Sequence, residues 1–137
     1  MEDPQLKHPA ETVKDVIFVN MNKIDNLLFY AFTLGHEMNH VFDNLFFKDK
    51  FSDITGLRDQ NSIPFLKAFY FYKEAVGIDW EIQMGNPKFK GVNGLGAASF
   101  YYGPNGAAKY DQNIIDKVSL YFYQLIRERK IEYNRHK

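Results

Sequence analysis

From Ile24 onward the apolar residues fall at Ile24, Leu27, Leu28, Ala31, Leu34, Met38, Val41, Phe42 and Leu45. Steps of three and four draw one stripe along a helix, so the pattern predicts a long helix to about Phe47, capped by Asp25 or Asn26. Upstream, the β-branched and aromatic run Val16-Ile17-Phe18-Val19 predicts a short strand, followed by turn residues from Asn20 to Asp25. Residues 48–63 are charged and turn-rich around Gly56 and read as a surface loop. Ser62 and Pro64 form the start signal of a second helix, which Gly85-Asn86-Pro87 ends after Met84. Its first half, Phe65 to Tyr72, is aromatic enough for a strand to compete, and Gly77 costs about 1 kcal/mol of helix propensity. Gly91, Gly94, Gly96, Gly103 and Gly106 then predict an extended loop or hairpin over residues 87–109, carrying Phe100-Tyr101-Tyr102. A last helix runs from Asp111 to about Lys130, with Ile115, Val118, Phe122, Leu125 and Ile126 on one side. Residues 1–12, with Pro4 and Pro9, read as a flexible leader, leaving 13–137 as a single domain of α+β class, mostly α.

Composition narrows the function classes. With 137 residues and 45% hydrophobic content the chain can bury a core of its own. Seventeen basic and seventeen acidic side chains cancel, which argues against a uniformly basic nucleic-acid binder. The basic tail from Arg127 to Lys137 reads as a solvated helix end rather than a nucleic-acid patch. Cysteine is absent, excluding disulfides, thiolate zinc knuckles, iron–sulfur clusters and a cysteine nucleophile. The polar N-terminal residues carry no signal-peptide core, and no window resembles a membrane span. The expectation is a protein without nucleic-acid or membrane partners, either cytoplasmic or delivered as an effector.

Chemistry concentrates in His36-Glu37-Met38-Asn39-His40 on the first helix. Two histidines four residues apart share one helical face, so both imidazoles can bind one metal ion, while Leu34, Met38, Val41 and Phe42 are expected to pack the opposite side. Glu37 projects beside them, where it can take a proton from an activated water and return it to a leaving amine. A catalytic zinc site needs a third protein ligand and an open position. Without cysteine that ligand is a carboxylate, or else His8 or His136 from the polar tails, where chain entropy opposes it. Glu74 leads, because Ala75 and Gly77 beside it would let two helices approach closely. Glu81 lies seven residues later on the same face, and Asp79 is nearby but rotated away. Asp43 shares the face of His36 and His40, and reads as a group orienting His40 more than as a ligand. Tyr101 or Tyr102, in a glycine-flanked loop, would suit an oxyanion stabiliser, with packed aromatics as the simpler alternative.

The segment Leu34-Gly35-His36-Glu37-Met38-Asn39-His40-Val41-Phe42-Asp43 resembles the active-site helix of zincin metallopeptidases, and Glu74-Ala75-Val76-Gly77-Ile78-Asp79-Trp80-Glu81 is similar to the glutamate-bearing helix of the gluzincin group. The likeness extends to small zincin-like domains of Rhs-type polymorphic toxins and bacterial effectors, and covers residues 24–81. It implies a minimal zincin-like fold, with a motif helix, a second ligand-bearing helix, a short sheet or hairpin and a C-terminal helix. It further implies Zn2+ held by His36, His40 and Glu74, with Glu37 as general base. A third histidine after His40 is missing, and Asp79 stands five rather than four residues past Glu74, unlike the thermolysin-type signature. The expected activity is zinc-dependent hydrolysis of a peptide bond in a protein or peptide substrate. A toxin role would add a cognate immunity or inhibitor protein. The alternative is a metal-binding but catalytically silent interaction module, for which Glu37 would have no use.

Overall fold

The computed structural model describes residues 1–137. Two antiparallel strands, β1 (Ala10–Val13) and β2 (Val16–Val19), form a hairpin ahead of five helices. These are α1 (Leu27–Phe46), α2 (Lys48–Thr55), α3 (Ile63–Gln83), α4 (Gly94–Tyr102) and α5 (Gln112–Arg135). The chain is thus α+β and mostly α. No helix is long and apolar enough to cross a membrane.

Two of the predicted boundaries rest on visible chemistry. Asn26 caps α1 by accepting from the Phe29 amide, and Ser62 caps α3 by accepting from the Phe65 amide, with Pro64 in the first turn. Each side chain satisfies one of the amides that a helix start leaves open. The aromatic run Phe65–Tyr72 is helical, not a strand, because α3 is buried around most of its circumference and every turn finds apolar neighbours. Phe51, Phe65, Phe69, Phe71 and Tyr72 make the centre of the core, joined by Val118 and Leu125 of α5.

Three segments differ from their sequence reading. Residues 48–63 contain α2, whose Phe51, Ser52 and Thr55 are buried while the charged residues face out, and Gly56 ends it at a φ of 76°. Residues 87–109 contain α4 in place of a loop or hairpin. Gly94 lets this helix meet α3, since a methyl group there would stand 2.1 Å from the Ala75 carbonyl. The expected leader is hydrogen-bonded: Asp3 donates to Val19, Asn20 holds the Pro4 and Leu6 carbonyls, and β1 begins at Ala10. Its prolines are compatible with this, because their carbonyls still accept. The last helix continues five residues beyond Lys130.

The stripe on α1 is the largest departure. Phe32, Glu37, His40 and Asp43 are its buried residues, whereas Leu27, Leu28, Met38 and Leu45 are exposed. The helix turns its polar face inward and leaves its apolar face largely in solvent.

Candidate metal centre

The inward face of α1 meets α3 at two glycines. Gly77 lies against the His36 ring, where a methyl group would come within 2.6 Å, and Gly35 lies beneath the Trp80 indole. This reciprocal contact brings Glu74 and Glu81 of α3 over the histidines of α1. His40 Nε2 stands 2.7 Å from Glu74 Oε1, and His36 Nε2 stands 3.4 Å from Glu74 Oε2. The two rings meet edge to face with centroids 4.6 Å apart. Both Nε2 atoms therefore converge on the two oxygens of one carboxylate.

The remaining ring nitrogens are treated differently. His36 Nδ1 lies 2.8 Å from Glu81 Oε2, whose other oxygen accepts from Asn86 Nδ2 at 2.9 Å. Glu81 thus grips His36 from the side opposite Glu74. His40 Nδ1 is buried without a hydrogen bond, and so is Asp43 Oδ2, three residues along the same helix. Asp43 Oδ1 accepts from Arg129 Nε at 2.8 Å and, more weakly, from the Tyr72 hydroxyl at 3.4 Å. Asp79 is turned away, its Oδ1 accepting from the Gly94 amide, so it serves the α3–α4 junction.

Glu37 Oε2 accepts from the Thr12 hydroxyl at 2.5 Å and lies 4.0 Å from His40 Nε2. Thr12 also donates to the Glu37 carbonyl, so strand β1 is fastened to the motif helix at this residue. The three motif side chains can bring ligand atoms within 4.8 Å of one another. They open, with Glu74, into a cavity of about 570 Å³ whose wall includes Thr12, Tyr70, Lys73, Tyr101 and Tyr102. His8 reaches the same cavity, whereas His136 stacks on Phe46 outside it.

Charge in the cluster follows from burial and pairing. Burial pulls the His36 pKa down, but the carboxylates of Glu74 and Glu81 outweigh it and raise the value to about 10. Burial likewise opposes the ionised form of Glu74, yet its two histidine partners hold it well below the usual carboxylate range. Burial, reinforced by the Glu74 charge, pushes the Tyr70 and Tyr102 hydroxyls far up, so both remain hydrogen-bond donors.

Two imidazole nitrogens and a carboxylate are the kinds of donor a divalent cation takes. Ligands at zinc distances of roughly 2.0–2.1 Å in a tetrahedron stand about 3.3 Å apart, close to the 3.4 Å between His36 Nε2 and Glu74 Oε2, whereas the 2.7 Å from His40 Nε2 to Glu74 Oε1 is a hydrogen-bond distance that a cation would have to open. Binding a cation there would require the imidazole nitrogens that now face Glu74 to give up their protons. A cation on His40 Nε2 would also fix the remaining proton on Nδ1, supplying the kind of donor that Asp43 Oδ2 lacks.

Sequence reasoning missed Thr12, Tyr70, Lys73 and Arg129, and set His8 aside on chain entropy although it reaches the cavity. Tyr70 carried a signal, standing four residues before Glu74 and so on its face. Arg129, 86 residues from Asp43, carried none. The chain matches no protein-family model, no curated protein and no solved structure.

Proposed function

We propose that the protein is a zinc-dependent peptidase of zincin type, with His36, His40 and Glu74 as ligands and Glu37 as general base. One observation carries this reading: the two Nε2 atoms of the HExxH histidines converge on the Glu74 carboxylate at 2.7 and 3.4 Å, on the wall of an open cavity. Bound zinc supplies a Lewis acid that polarises a carbonyl and makes water a nucleophile near neutral pH. The chain's own residues do the rest. Thr12 occupies Glu37 Oε2, leaving Oε1 to accept a proton from the attacking water. The water oxygen bonds to the amide carbon, the C–N bond breaks, and Glu37 returns its proton to the departing nitrogen. Tyr70, Tyr101 and Tyr102 line the cavity, and their hydroxyls are the available donors toward a developing oxyanion.

The silent-module alternative gives Glu37 no task, although its carboxylate is buried and aimed by Thr12. The deciding experiment measures zinc content and peptide hydrolysis in parallel. Wild type should carry about one zinc per chain, His40→Ala should lose it, and Glu37→Gln should retain it while turnover falls roughly 10²–10⁴-fold. Zinc-loaded Glu37→Gln with undiminished hydrolysis would sink the assignment of the base. Wild type that binds zinc yet cleaves no member of a broad peptide library would favour the silent module.

A further inference from the structure

The exposed face of α1 has an order of its own. Leu27, Ala31, Leu34, Met38, Val41 and Leu45 follow at steps of four, three, four, three and four, the heptad spacing of a helix–helix seam. Leu27 is 83% exposed, Leu28 63%, Met38 58% and Leu45 53%, an apolar stripe rather than scattered surface residues. Its two halves differ. Met38, Val41 and Leu45 form one wall of a groove of about 650 Å³, closed by Trp80 of α3 and by Ile126 and Tyr133 of α5. Leu27, Leu28 and Ala31 lie outside that groove and project from the surface.

We propose that this stripe is the interface of a homodimer in which α1 packs antiparallel against α1 of a second copy. A twofold axis at position 36 opposes Leu27 to Leu45, Ala31 to Val41 and Leu34 to Met38, and repeats each layer on the other side. The projecting half of each copy then enters the groove of its partner. Charge is compatible with self-pairing. Leu28, Tyr30, Gly35, Phe42 and Asn44, which flank the seam, are uncharged, and Glu37 is turned into the cavity. Charged flanks are what select a different partner or repel a like one; the flanks on α1 carry none, and the groove that receives the partner holds both signs, Asp79 with Arg129 and Lys130. Two stripes of this length exclude on the order of 1,000 Å² in total, the lower edge of a specific interface. The motif residues face the opposite side of α1, so both cavities stay open in the dimer.

The absence of cysteine makes the register testable by cross-linking. Sedimentation velocity should show wild type moving from monomer to dimer as concentration rises to about 100 µM, with Met38→Glu weakening association at least about tenfold. Leu27→Cys combined with Leu45→Cys should give a covalent dimer on oxidation, whereas either single variant should not. Within one chain those two positions lie about 27 Å apart along the helix and cannot bridge. A wild type that stays monomeric at about 100 µM overturns the proposal and leaves the stripe to a helix of another protein. Cross-linking by Leu27→Cys alone overturns the antiparallel register.

Discussion

At His36 two effects oppose each other, and the winner sets a pH dependence. Burial disfavours the imidazolium, but Glu74 and Glu81 raise its pKa from 6.5 to about 10. The folded metal-free protein therefore holds this proton more tightly than the unfolded chain. That stabilisation is complete below about 6.5 and is lost as pH climbs through about 10. Glu74 contributes in the other direction: its depressed value gives stability present above about 4.5 and lost in acid. Chelator-treated protein should accordingly melt several degrees lower near pH 9.5 than near pH 6, and Glu74→Gln should flatten that difference. Zinc must displace the same proton, so its affinity should rise over the same interval. Equal melting temperatures at the two pH values would contradict the ion pair. At this scale the sequence was informative where chemistry is local. The motif could be read because spacing alone places it on one helical face, and Glu74 because the small residues beside it permit a close helix crossing. The roles of Glu81 and Asp43 could not be fixed, because they depend on which ring nitrogen each carboxylate meets and on the distant Arg129.

The element scale turns on the crossing of α1 and α3. A glycine inside an exposed helix is a cost, and replacing it with alanine gains about 1 kcal/mol. At Gly77 the sign should reverse, because the added methyl would stand 2.6 Å from the His36 ring. Relief requires the ring to move away from Glu74 and Glu81 or the helices to part, an overpacking cost of about 1–3 kcal/mol. Gly77→Ala should therefore lower thermal stability and weaken zinc binding about tenfold or more, read by melting and by competition with a chelating dye. A variant more stable than wild type with unchanged zinc affinity would mean that the close approach is unimportant. The caps Asn26 and Ser62 were legible because they act within four residues. Helices α2 and α4 were not. Lys48–Thr55 offers only Phe51 and Ile54 as large apolar residues, and Gly94–Tyr102 has two glycines of poor propensity among its first three residues. Packing on α3 and α5 overrides local preference in both, and no window of sequence contains that information.

For the whole molecule, the division of labour between apolar and polar contacts matters most. The hydrophobic cluster runs from Phe47 through α3 and α4 to Leu125 and includes no residue of α1 or of the hairpin. Those elements are held instead by polar and close-packed contacts: Glu74 and Glu81 on the histidines, Lys73 on Asn44, Arg129 on Asp43, and Thr12 on Glu37. The amphipathic stripe of α1 suggested the reverse, an apolar face against the core, because periodicity reports that a face exists and not where it points. A cation between α1 and α3 would staple the polar-held unit to the apolar core. Zinc at a thousandfold excess over its Kd would then add about 4 kcal/mol to folding stability. Removing it should leave the core folded, unlike small zinc domains that unfold without metal. Hydrogen exchange should show this directly. In chelator-treated protein the amides of α1 and of β1–β2 should lose protection by at least about tenfold, while α3 and α5 around Phe69, Tyr72 and Val118 keep theirs. Uniform loss across all helices would mean that core and site form one cooperative unit, and protection unchanged everywhere would remove the metal from the stability of the fold.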